Sequence, residues 1–191
     1  MDTIVRDLMK PALLLFASLG WCLIAHAEAP NSIPNPRKTN HSSIYDGAGV
    51  LNNTEKHRID DAINALEKKT GAQLMVAFVQ TLGGLSIEKW STATFKHIGI
   101  GHKGKNDGAL FVFALSERRS RLEVGNGLRD RLTDARAKAI LVQQVQPAFR
   151  AGQYGKGILD ALKVASSIIQ SGSKSKAGGA ASHPHLRQSH T

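Results

Sequence analysis

Asp107 and Asp134 are the side chains that residue type and spacing best suit to chemistry. Asp107 lies in "GIGHKGKNDGALFVFA", Gly99 to Ala114, where a loop dotted with glycine and lysine meets an apolar strand at Asn106-Asp107-Gly108. Asp134 lies downstream, after Gly125-Asn126-Gly127, where an amphipathic helix begins. Asp and Asn oxygens suit a hard divalent cation such as Ca²⁺ or Mg²⁺. Exposed loop N–H groups and a helix N-terminus suit an anion. One corner with both would hold a metal and a phosphate oxygen, where a bound cation can polarise the phosphate and activate water. On that reading Asp107 and Asp134 are catalytic. Asp46, Asn106, Asp107 and Asp134 hold the cation, and Gly125, Gly127, Arg129 and Arg131 bind the anion.

The same residues have an ordinary account. Asn-Asp-Gly is common turn chemistry, and Asp134 suits a helix N-cap. The glycine spacing matches neither a P-loop nor an EF-hand. No Ser or His falls in a recognisable catalytic motif, and His97 and His102 read as a helix end and a loop residue. A non-catalytic binding or assembly module of the cell envelope is therefore the competing reading.

The elements that must position these residues can be read from the pattern. Asn52 with Glu55 forms a capping-box signature before the stripe Ile59, Ile63 and Leu66, and Gly71 ends that helix. "QLMVAFVQ", Gln73 to Gln80, is a buried strand. Ser86 caps a helix carrying Ile87, Trp90, Thr94 and Ile98. A second strand, Ala109 to Ser116, and "SRLEV", Ser120 to Val124, form a hairpin. Thr133 or Asp134 caps a third helix, which Pro147 interrupts, and a last helix runs from about Gln153 to Ile169. The order predicts an α/β domain with a mixed sheet, its parallel strands joined by a right-handed crossover. The hairpin returns the chain so that Gly125-Asn126-Gly127 lies beside Asn106-Asp107-Gly108. Asp46, in "YDGAGVL", reaches that corner only if Ile44-Tyr45 opens a stretch along the sheet edge.

Composition bounds the setting. Arg6 and Lys10 precede "PALLLFASLGWCLIA", and Ala25-His26-Ala27 follows, as in a secretory signal peptide cleaved after Ala27. A retained anchor and lipidation at Cys22 are the alternatives. The apolar run is short for a span, and Trp21 fits a lipidation motif poorly. Cys22 is the sole cysteine, so the mature chain would carry no disulfide and no thiolate ligand. Residues 28–43 read as a linker, 44–170 as the folded domain and 171–191 as a disordered basic tail. The net charge of +10 favours an anionic cell-envelope component or a phosphorylated substrate as partner. An export signal and low aromatic content count against nucleic acid. The expected location is periplasmic or secreted, with no transmembrane helix once the signal is removed.

The stretches "YDGAGVLNNTE", "KTGAQLMVAFVQTLGG", "GIGHKGKNDGALFVFA", "RRSRLEVGNGLRDRLTDARA" and "PAFRAGQYGKGI" resemble, in order and spacing, the TPM domain family of thylakoid-lumen acid phosphatase-like proteins and their bacterial relatives. The resemblance covers about Ile44 to Ile169. It implies a three-layer α/β/α sandwich with a Rossmann-like mixed sheet, usually exported or membrane-tethered. It implies acid phosphatase activity in some members and assembly, repair or receptor-associated roles in others. The family's acidic and Asn positions fall on Asp46, Asn106, Asp107 and Asp134, and its glycine pair on Gly125 and Gly127. Arg129 stands where relatives commonly carry Glu, which removes a carboxylate and adds a positive charge. Many bacterial relatives continue into a transmembrane helix or a glycine-rich tail, where this chain has a basic polar one.

Overall fold

The computed structural model describes residues 27–177; the expected signal peptide, residues 1–27, lies outside the described residues except for Ala27, and the expected disordered tail, 171–191, lies outside them beyond residue 177, while its first residues, 171–177, continue the last helix. Its elements are α1 (Pro36–Thr39), β1 (Ile44–Asp46), α2 (Asn53–Thr70), β2 (Gln73–Val79), α3 (Ile87–Ile98), β3 (Gly108–Ala114), β4 (Arg119–Val124), α4 (Asp134–Ile140), α5 (Gln146–Arg150) and α6 (Tyr154–Ala177). The four strands form one mixed sheet in the order β1-β2-β3-β4. The first three are parallel, with Gln73 to Val79 paired residue for residue to Gly108 to Ala114. β4 is antiparallel to β3, placing Val124 opposite Ala109 and Arg119 opposite Ala114.

Period-two alternation along the strands sends side chains to two separate cores. Leu74, Val76, Phe78, Phe111 and Phe113 pack with Ile59, Ile63 and Leu66 of α2 and with Ile158, Leu162 and Ile169 of α6. Met75, Ala77, Val79, Leu110 and Val112 pack on the opposite face with Ile87, Trp90 and Ile98 of α3. Because β1, β2 and β3 step across the sheet in one direction while α2 and α3 lie on opposite faces, their two crossovers have opposite hands. One of them therefore departs from the right-handed rule. In a doubly wound sheet a change of face accompanies a reversal of the stepping direction, and this order has no such reversal. The expected Rossmann-like layout is corrected on this point.

Local signals explain the helix ends. Asn52 accepts from the Glu55 backbone N–H at 2.9 Å while the Glu55 carboxylate accepts from the Asn52 N–H at 3.0 Å. Gly71 ends α2 at φ 73°, a left-handed conformation that glycine adopts without strain. Pro147 does not break its helix as expected. The turn Leu141–Val145 is π-helical, with Gln146 N–H donating to the Leu141 carbonyl five residues back. That wider turn relieves the clash a proline ring makes with the preceding turn, so the path runs on into α5.

Residues 28–43 are not a free linker. Ile33 is fully buried in the α3-side core. Trp90 Nε1 donates to the Glu28 carbonyl at 2.8 Å, and Thr94 Oγ1 donates to the Pro30 carbonyl at 3.2 Å. One apolar side chain and a few backbone acceptors bind a Pro- and Asn-rich segment whose composition suggests only a loop. No helix among the described residues is long and apolar enough to cross a membrane.

Candidate functional site

The expected loop corner forms. Gly125 N–H donates to the Gly108 carbonyl at 2.8 Å, and Gly127 N–H donates to the Asn106 carbonyl at 3.0 Å. The two glycines thus lie beside Asn106-Asp107-Gly108, at the end where β2 and β3 begin. Their lack of a side chain answers to packing: a Cβ at Gly127 would stand 2.0 Å from the Lys105 carbonyl oxygen, and one at Gly125 2.3 Å from that of Asn106. Both amides already donate to backbone, which leaves neither pointing at an anion. Arg129 Nε donates to the Val124 carbonyl at 3.2 Å. Arg131 donates to the carbonyls of Ile169 and Gly127, each at 3.3 Å. The geometry gives all four residues the work of bracing a loop.

Asp107 is held inside its own loop. Its carboxylate accepts from the His102 backbone N–H at 2.8 Å, and ring Nδ1 of His102 stands 3.0 and 3.1 Å from the two oxygens. The Gln73 amide nitrogen lies 3.4 Å from His102 Nε2 and donates to Glu67 at 3.3 Å, and Glu67 pairs with Arg37. If Nδ1 carries the proton toward Asp107, Nε2 is left to accept from Gln73, so the network selects one tautomer. Burial alone would push the Asp107 carboxyl up, but the hydrogen bonds and charge of His102 outweigh it and hold the group below the ordinary carboxylate range. Reading His102 as incidental missed this pair; the i, i+5 spacing around Gly104 was its one trace in sequence. Asn106, at φ 50°, makes the left-handed turn that lets the loop close.

Asp134 and Asp46 stand apart from this network. Asp134 is an exposed residue in the first turn of α4. The N-cap is Thr133, whose side chain accepts from the Arg136 N–H at 3.3 Å. Asp46 ends β1 opposite Phe78, near the far end of the sheet. Asp107 precedes Gly108, which pairs with Gln73 at the near end. About six residue steps separate the two levels, roughly 20 Å at 3.3 Å per residue. Ligands of one Ca²⁺ lie about 2.3–2.6 Å from it, so Asp46 and Asp107 do not share a cation. The stretch of chain expected to carry Asp46 to the corner does run along the sheet edge, but parallel to β2, which carries it the other way.

Asp46 has its own work there. Its side chain is 3% exposed and pairs with Lys56 Nζ at 2.9 Å. Its oxygens accept from the backbone N–H groups of Val50 and Leu51, each at 3.1 Å. They tie down the loop that leads into α2. Among the described residues no three His, Cys, Asp or Glu side chains come together as a metal-holding group. The residues expected to hold a divalent cation therefore do not fit one as a set.

Mixed sheet, helices and strand order define an α/β domain. The profile of the TPM domain matches residues 44–168, and the chain belongs to that family. Three NMR structures share the fold. The N-terminal domain of a protein from P. gingivalis is 24% identical, with a TM-score of 0.70 over 77% of this chain and 94% of that one. The BA42 protein of the psychrophilic bacterium Bizionia argentinensis is 19% identical, with a TM-score of 0.57 over 63% of this chain and 82% of that one. The N-terminal domain of the cg2496 protein of Corynebacterium glutamicum is 18% identical, with a TM-score of 0.56 over 86% of this chain and 98% of that one. At these identities the likeness is one of fold. No curated protein matches at comparable stringency.

Proposed function

We propose that this chain is an exported, non-catalytic TPM-domain module that binds an anionic component of the cell envelope. The observation that favours this reading over hydrolysis is the division of the carboxylates. Asp46 and Asp107 lie at opposite ends of the sheet, each already satisfied by its own loop, and Asp134 is exposed on a third element. A metal-assisted phosphomonoesterase needs such groups on one cation. Cores on both faces of the sheet support the three-layer α/β/α arrangement. The net charge of +10 supports an anionic partner, and the signal-like N-terminus supports export to the periplasm or beyond.

The test is phosphate release from p-nitrophenyl phosphate by the purified Glu28–Thr191 protein, with EDTA and with Ca²⁺ or Mg²⁺. The module reading expects no release above buffer in any condition and no cation-dependent rise in melting temperature. Cation-dependent turnover that disappears in both Asp107→Ala and Asp134→Ala would restore the phosphatase reading.

A further inference from the structure

We infer that the cavity between the β3–β4 hairpin and the α5–α6 joint binds a small aromatic oxyanion: an apolar ring carrying a phosphate, phosphonate or carboxylate group. This site lies at the end of the sheet away from the loop corner. It rests on the reading of the protein as an anion-binding module and says where the anion binds and what it is attached to.

The cavity measures about 650 Å³, within the size range of small-ligand sites. It opens where β3 ends and β4 begins, on the side where parallel strands present their C-terminal ends.

Its floor is aromatic. Phe113 lies 4.9 Å from Phe149, and Phe149 meets Tyr154 edge-on at 4.8 Å, measured between ring centroids. Phe78 supports the group from the core, 4.9 Å from Phe113. Phe149 and Tyr154 are only partly buried, so the cluster continues outward from the core to the cavity wall. A bound ring would extend the same tilted and edge-on packing by one member.

Its rim is cationic. Arg118, Arg119 and Arg150 line the cavity, all three exposed, and no carboxylate lines it. Arg118 and Arg150 make no side-chain hydrogen bond or ion pair among the described residues. Arg119 lies within the fields of Glu88 and Glu117. Glu117, next in the chain to Arg118, faces away: Oε1 accepts from Thr81 Oγ1 at 2.7 Å and from the Leu82 N–H at 2.9 Å. The hairpin turn closes with Arg118 in a left-handed conformation, φ 51°. Two guanidiniums from different elements, α5 and the hairpin turn, thus stand over an apolar floor without an internal counterion. Guanidinium forks match the oxygens of phosphate and carboxylate. Other occupants fit poorly. The C-terminal stretch holds Lys174, Lys176 and Arg187 without an acid after residue 170, and a second copy would present the same cationic rim.

The experiment is a ¹H–¹⁵N chemical-shift titration of the Glu28–Thr191 protein with benzylphosphonate, which resists hydrolysis, and with methylphosphonate, which has the same anionic group without the ring. Saturable shifts at Ser120, Gln146 and Arg150 are expected, with benzylphosphonate at least tenfold tighter. Arg118→Gln with Arg150→Gln should weaken it tenfold or more without changing the melting temperature, since both side chains are exposed, and added salt should weaken the wild type in the same direction. Equal affinity for the two phosphonates, or saturable shifts confined to residues 125–131, would overturn the aromatic site and leave the anion-binding reading standing. No saturable shift with either phosphonate would overturn the site. That result together with cation-dependent phosphate release would overturn both readings.

Discussion

Asp107 accepts two hydrogen bonds from one residue, His102: from its backbone N–H at 2.8 Å and from ring Nδ1 at 3.0 Å. The pair closes the Gly101–Asn106 loop upon the start of β3. It makes Asp107 a structural acceptor and sets the pH dependence of the loop.

Asp107→Asn should destabilise the domain by about 1.5–3 kcal/mol at pH 7, the range for hydrogen bonds to a charged group. The Asp107 carboxyl titrates lower in the folded chain than in the unfolded one. Its contribution is therefore complete above the unfolded value, near 4, and is lost as pH falls through the lower folded value. Urea unfolding of both proteins should show a gap at pH 5 to 7 that narrows in the acid range. A gap unchanged at pH 3 would contradict the assignment.

Asp46→Ala should cost about 1–3 kcal/mol, because it leaves the part-buried N–H donors of Val50 and Leu51 without their acceptor and Lys56 without its partner. Ca²⁺ or Mg²⁺ should not change the melting temperature of wild type or variant. A cation-dependent stabilisation present only in the wild type would return Asp46 to a ligand role.

Gly127→Ala and Gly71→Ala should both destabilise, for different reasons. At Gly127 the new methyl meets a backbone carbonyl at 2.0 Å, a contact that cannot be relieved by a side-chain rotation. Its cost should fall in the 1–3 kcal/mol range of overpacking, with amide shifts across Lys105–Gly108. At Gly71 the space is open and only the φ of 73° resists, so about 1–2 kcal/mol is expected, with changes confined to the end of α2. Paired thermal melts and amide spectra distinguish the two.

Ile33→Ala should destabilise by about 2–5 kcal/mol, as for other fully buried aliphatic side chains. Limited proteolysis should then cut first among residues 28–40. An unchanged melting temperature would mean that this segment does not dock.

Much of the architecture was legible in the sequence because the local signals agreed. Asn52 with Glu55, Ser86 and Gly71 mark helix ends, and the two apolar runs mark the central strands. The hairpin placed the glycine pair beside Asn106 correctly, since a tight turn fixes which strand ends meet. The TPM likeness held across residues 44–168. Asp46 was misplaced because β1 has three residues, too few to show a period, and only its pairing with Val76 to Phe78 reveals its direction. The hand of the crossovers was also hidden, since it depends on which face each helix covers. Ile33 stood alone among polar neighbours, and a single apolar residue carries no pattern. The cavity joins residues some 30 positions apart, each unremarkable in its own segment.

The π-turn at Leu141–Val145 amounts to one residue more than an α-helix needs over the same path. Each residue turns a helix by about 100°. Removing one residue there and restoring α-geometry would swing Phe149 and Arg150 a quarter-turn or more around the axis, away from Phe113 and the hairpin. Ring and cation would leave together, while the core contacts of α4 ahead of the deletion stayed in place. The floor and one post of the cavity thus depend on a phase set several residues upstream, in a segment that does not itself line it except at Val145.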